Sequence, residues 1–165
     1  MARRPVNKRS TGISLVGLIV LTPCAHAYVN DRFGVSVDVP ADWRAEPPPE
    51  NDDGRTFDSP DGAARILVYG GFQLGRSATQ AMDEKARPRE GERVTYLKRG
   101  ARSVTVSGFA GSTIFYRRSL LTCGDQVWNT VEITYPASER RGYDRLVARL
   151  AASLRGSSPA GMNCP

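Results

Sequence analysis

One stretch limits the possible folds more than any other, residues 111–135, GSTIFYRRSLLTCGDQVWNTVEITY. Residues 112–121 and 126–135 are rich in aromatic and β-branched side chains, which suit a pleated surface. Between them Cys123, Gly124 and Asp125 supply a turn, because glycine tolerates positive φ and aspartate bonds its own backbone. In the second segment Val127, Val131, Ile133 and Tyr135 share one face, and Trp128, Thr130, Glu132 and Thr134 share the other. Period two with one apolar face predicts a hairpin with one face on a core and a wetter opposite face. This hairpin is expected at the centre of the sheet.

The beginning of the chain reads differently. Arg3, Arg4, Lys8 and Arg9 precede a short apolar run over residues 13–21, and Ala25-His-Ala27 has the small-x-small form of a cleavage site. Together they predict a secretory signal peptide over residues 1–27, cut before Tyr28. The run is shorter than the roughly 20 residues of a spanning helix, so no transmembrane segment is expected after cleavage. A lipoprotein with Cys24 as the lipidated residue is the rival reading, but Pro23 stands where a small residue is wanted. The expected location is periplasmic or secreted.

Export changes the chemistry available. The leader takes four of 23 basic residues and none of the 17 acids, so the net charge falls from +6 to +2. That footprint is too weak to suggest nucleic-acid binding. The only histidine, His26, leaves with the leader. Without histidine the mature chain cannot build a Ser-His-Asp or Cys-His arrangement or a histidine metal site. It also lacks the usual acid–base group near neutral pH. No G-x-S-x-G, P-loop or G-x-G-x-x-G motif occurs, so no catalytic residue and no cofactor is assigned. Cys123 and Cys164 remain, and an even count in an exported chain predicts a disulfide between them, with two free thiols as the alternative.

The removal of 27 of 165 residues leaves 138, enough for one domain with a real core. Strands are expected over residues 35–39, 55–58, 64–70, 92–97 and 102–109, in addition to the hairpin. Gly108 and Gly111 are expected to bracket the turn into it. Ser77-x-x-Gln80 is a capping box and starts a thinly apolar surface helix over residues 78–87, stopped by Pro88. Tyr143, Leu146, Val147, Leu150, Ala151 and Leu154 form the clearest helical stripe. Residues 28–155 then make a single domain, and 156–165, rich in Gly, Ser and Pro, a flexible tail. With no βαβ rhythm, the class is α+β, a mainly antiparallel sheet of about six to seven strands with two main helices.

Residues 28–43, YVNDRFGVSVDVPADW, resemble the opening of PsbP-like domains, in which an aromatic-Gly strand runs into Pro-x-x-Trp. Gly62 after Ser59-Pro60, and Tyr135-Pro136 before an amphipathic helix, are similar to exported proteobacterial members of that superfamily. The resemblance implies an α-β-α sandwich and a binding or assembly role, since PsbP-like domains act as photosystem subunits, adaptors and chaperones. It carries over no catalytic residue.

Trp43, Arg117 and Trp128 are the candidates for contact with a ligand or partner, an exposed tryptophan being a binding feature. If a helix covers Trp128, it is core instead. Asn51, Asp52, Asp53, Asp58 and Asp61 could offer oxygens to Ca²⁺, but acidic turns are usually only solvated, and no metal site is assigned. The basic run from Arg87 to Arg102 is interrupted by Glu90 and Glu92 and reads as a mixed solvated face. The function expected is a non-catalytic binding or adaptor domain of the cell envelope, for a protein or small ligand. The alternative is a His-independent hydrolase or lyase that uses Asp/Glu, Arg or Tyr.

Overall fold

The computed structural model describes residues 25–74 and 77–164. The expected leader lies outside these residues except for its last three. Ala25, His26 and Ala27 begin strand β1 (Ala25–Asn30), which pairs antiparallel with β2 (Val35–Pro40). The chain continues through β3 (Arg44–Ala45), β4 (Gly54–Asp58), β5 (Arg65–Phe72) and helix α1 (Ala78–Ala86). Next come β6 (Glu92–Gly100), β7 (Ser103–Ala110), β8 (Thr113–Thr122) and β9 (Val127–Pro136), then helix α2 (Arg140–Ser153) and β10 (Arg155–Gly156).

Seven strands form one antiparallel sheet in the order β3-β4-β5-β9-β8-β7-β6, and β1-β2-β10 form a second, smaller one. Strand β9 is thus the middle strand of the large sheet, flanked by β5 and by β8, its hairpin partner. The hairpin turn holds Cys123, Gly124 and Asp125 at φ of 52°, 59° and 68°. Three consecutive left-handed residues explain why Gly and Asp stand there.

The main core lies between the large sheet on one side and β2 with α2 on the other. Val35, Val37 and Val39 of β2 meet Ile66, Val68, Val131 and Ile133 of the sheet, closed by Leu150 and Leu154. Helix α2 presents its stripe here because its apolar positions recur every three to four residues.

The opposite face of the hairpin, expected to be the wetter of the two, is covered by a helix, the alternative given for Trp128. Trp128, Thr130 and Glu132 are all buried. Helix α1 packs over this face, where Ala81 and Met82 lie on Leu121 and Trp128, and Ala86 lies near Val104, Val106 and Phe115. The small alanines that make the stripe look thin are what let the helix approach closely. The capping box is present, with Gln80 N–H donating to Ser77 Oγ at 3.3 Å and Ser77 N–H to Gln80 Oε1 at 3.1 Å.

Two further expectations change. Gly108 is not at the turn. It lies inside β7 opposite a register shift in β6 between Val94 and Tyr96, and a Cβ there would stand 2.0 Å from the Arg93 carbonyl oxygen. Only glycine permits that approach. Residues 156–164 of the expected flexible tail are tied along β2 and the turn between β1 and β2. After β10 pairs with β2, Ser157 N–H donates to Gly34 O at 2.7 Å and Ala160 N–H to Asp31 O at 2.8 Å. The segment ends in a Cys123–Cys164 disulfide, with a Cα–Cα distance of 4.6 Å. Among the described residues no helix is long and apolar enough to cross a membrane.

Candidate ligand pocket

On the buried second face the hairpin pairs its residues in register as Arg117 with Glu132, Ser119 with Thr130, and Leu121 with Trp128. The face therefore grades from ionic to polar to apolar along its length. Ser119 and Thr130 share a hydroxyl–hydroxyl hydrogen bond of 2.9 Å. Arg117 is 3 % exposed, so its charge needs strong partners. Its guanidinium donates as a fork to both oxygens of Glu92, at 3.0 and 3.1 Å, and lies 3.5 Å from Glu132 Oε2. Arg89 closes the network from outside, with Nη1 2.9 Å from Glu132 Oε2 and Nη2 donating to the Tyr69 hydroxyl at 3.3 Å.

Protonation follows from this wiring. Burial opposes the Arg117 charge, but Glu92 and Glu132 outweigh it and raise the pKa above the ordinary arginine value. Burial also pushes the Glu92 carboxyl up, yet the Arg117 fork and the Arg89 backbone N–H hold it below the usual carboxylate range.

Beside this network opens a cavity of about 390 Å³, within the usual range for small-ligand sites. Lys85, Arg87, Arg89 and Arg117 contribute cations to its lining, and Trp128, Phe72 and Leu74 contribute apolar surface. Phe72 and Leu74 are 48 % and 78 % exposed, on the last residue of β5 and the loop after it. Lys85 differs from the arginines around it. Among the described residues no carboxylate lies within ion-pair distance, and its ammonium instead stands over the rings of Tyr69 and Trp128, at 5.5 and 5.7 Å. Burial, then the nearby Arg89 and Arg117 charges, push the Lys85 pKa below its ordinary value.

Two of the three candidate binding residues, Arg117 and Trp128, therefore meet at one cavity. Trp128 is 5 % exposed and offers it only an edge, because α1 covers the rest. Trp43 lies elsewhere. It packs on the main core and lines a shallow hollow with Pro60, Tyr143 and Leu146. The acidic loop does not converge. Arg44 and Arg65 hold Asp58, and Asp61 accepts from Ser59 Oγ at 2.6 Å and from the Ala63 N–H. No three potential metal-ligating side chains cluster among the described residues.

Lys85, Arg89 and Glu92 escape a sequence reading that treats their segment as a solvated face. One signal does mark Lys85. It falls at i+7 from Ala78, on the same stripe as Ala81, Met82 and Ala86, where a fully solvated lysine has no place.

No protein-family model and no curated protein matches the sequence. Solved structures do match. The chain is similar to cyanobacterial PsbP (CyanoP) from Synechocystis, with a TM-score of 0.61 and 11 % identity, over 89 % of this chain and 98 % of that one. It is also similar to the Ran-binding protein Mog1p of Saccharomyces cerevisiae, with a TM-score of 0.51 and 10 % identity, over 82 % and 96 % of the two chains. A Bacteroides thetaiotaomicron protein matches with a TM-score of 0.52 and 14 % identity, over 87 % of this chain but 52 % of that longer one. At these identities the likeness is one of fold, and the fold of this chain is PsbP-like.

Proposed function

We propose that this chain is an exported, non-catalytic binding domain of the cell envelope, and that the cavity between α1 and β9 receives its ligand. One observation carries the reading. Apolar surface and an ammonium with no carboxylate within ion-pair distance among the described residues line a single cavity, whereas Glu92 and Glu132 behind it are locked to arginines. A general acid needs a raised pKa, and that of Glu92 is held down, which argues against the His-independent hydrolase or lyase. A non-enzymatic binding role also agrees with the likeness to Mog1p, a Ran-binding protein, and to PsbP. Export rests on the leader pattern alone.

Two measurements test the proposal. Intact mass of protein recovered from periplasm is expected to start at Tyr28, and a diacylated Cys24 species would refute simple cleavage. Titration of the ¹⁵N-labelled protein with the small-molecule fraction of periplasm is expected to shift the amides of Phe72 to Leu74 and Lys85 to Arg89 together with the Trp128 indole. Shifts confined to the Trp43 hollow would place the site elsewhere.

A further inference from the structure

This inference rests on the reading of the α1–β9 cavity as a ligand site and concerns the chemistry of its occupant. Four cations line the cavity. Three carboxylates belong to the same cluster, Glu84 in the lining and Glu92 and Glu132 behind it. Among the described residues none of these carboxylates lies within ion-pair distance of Lys85.

Two of the three arginines in the lining, Arg117 and Arg89, are not free to form a new fork, and the third, Arg87, is exposed on the surface. Arg117 already gives one to Glu92, and Arg89 bridges Glu132 and Tyr69. A phosphate or sulfate group, which favours bidentate arginine, finds neither Arg89 nor Arg117 available. A point charge is available in Lys85, half-buried in the wall between the Tyr69 and Trp128 rings. The lining also holds Phe72 and Leu74, two large apolar side chains left in water. Phe72 is held there by an edge-on contact with Phe33, with ring centroids 5.0 Å apart. An ammonium outside the ion-pair network, beside an apolar wall, suits a molecule with a negative charge and an apolar body.

We infer that the cavity binds an amphiphilic monocarboxylate, its carboxylate on Lys85 and its hydrocarbon body along Trp128, Phe72 and Leu74. The volume of about 390 Å³ holds one small molecule and no folded partner. Half-burial strengthens the ion pair relative to a surface one, because water screens it less. The ammonium is disfavoured in the empty site by burial and by Arg89 and Arg117, and a bound carboxylate reverses that preference. Binding at a pH near the depressed Lys85 value should therefore take up protons, and affinity should fall as pH rises through that value.

The test is calorimetric and NMR titration of the processed full-length protein with decanoate, decanol, decyl phosphate and acetate. Decanoate is expected to bind at least tenfold more tightly than decanol, with proton uptake at alkaline pH, and acetate to bind too weakly to measure. Lys85→Met should abolish the preference for decanoate over decanol without lowering the melting temperature. Leu74→Ser, at an exposed position, should weaken decanoate and decanol alike. Equal affinity for decanoate and decanol, or tighter binding of decyl phosphate, overturns the monocarboxylate assignment but leaves the cavity as the site. If no probe moves the Trp128 indole or the Phe72 to Leu74 amides, the site reading itself fails and this inference with it.

Discussion

Arg117 shows how a single residue can join stability to a binding site. It sits on the central hairpin, directly opposite Glu132, with almost no access to water. Its removal would leave Glu92 and Glu132 buried beside each other without their shared cation, whereas an apolar replacement of the whole cluster would be far milder. Arg117→Met is therefore expected to lose about 3–5 kcal/mol in urea unfolding. Adding Glu92→Gln and Glu132→Gln to it should restore part of that loss. If Arg117→Met alone is within about 0.5 kcal/mol of the parent, as ordinary surface substitutions are, the network is not what holds this face. Lysine is no substitute, because it cannot form the fork to both oxygens of Glu92.

At the scale of elements, local chemistry and tertiary placement separate cleanly. The hairpin is legible because period two, β-branched residues and a Cys-Gly-Asp turn are all local signals, and the structure displaces its ends by only a residue. The capping box of α1 is legible for the same reason. What α1 covers is not legible, since Ala81 and Met82 reveal a small apolar face but not that Trp128 lies beneath it. That is why the Thr130 face reads as the wetter one although α1 closes it from water. The two-residue strands β3 and β10 carry too few residues to show a period. The closing segment has the composition of a flexible tail, yet its backbone donors find Gly34 and Asp31, and Cys164 fixes its end. The disulfide spans 41 residues, and a loop of that size is worth about 4 kcal/mol by chain-entropy reasoning. Cys164→Ser, or reduction, should lower the unfolding free energy by about that much. It should also open the chain near Gly156 to proteolysis. Native protein with two titratable thiols and an unchanged thermal midpoint would rule this strap out.

For the whole molecule the charge network predicts a specific response to pH. The carboxyls of Glu92, Asp58 and Asp61 are all held below their ordinary values in the folded chain. Burial opposes this for Glu92 and Arg117 overcomes it. Arg65 is the main cause for Asp58, and the Ser59 hydroxyl for Asp61. A depressed folded pKa means the unfolded chain binds more protons, so these groups stabilise the fold above about pH 4–5. That stability drains away as pH falls through the lowered folded values. Lys85 obeys the same rule at the other end of the scale. Its folded pKa is depressed by burial and by Arg89 and Arg117, so a cost present at neutral pH is relieved as pH rises through that value towards about 10. Tyr116, Tyr135 and Tyr143 act in the opposite sense there, because burial raises their pKa values and favours the folded state only while they stay protonated. The two alkaline effects overlap in the parent and separate in a difference curve. Subtraction of the Lys85→Met stability profile from that of the parent should leave a curve flat from about pH 5 to neutrality and rising towards about pH 10. For Glu92→Gln the corresponding curve should fall only in acid, below about pH 5. A Lys85 difference curve that stays flat through the alkaline range would show that Lys85 is solvated like any surface lysine, and the wall of the cavity would then lack the constrained charge on which its ligand chemistry rests.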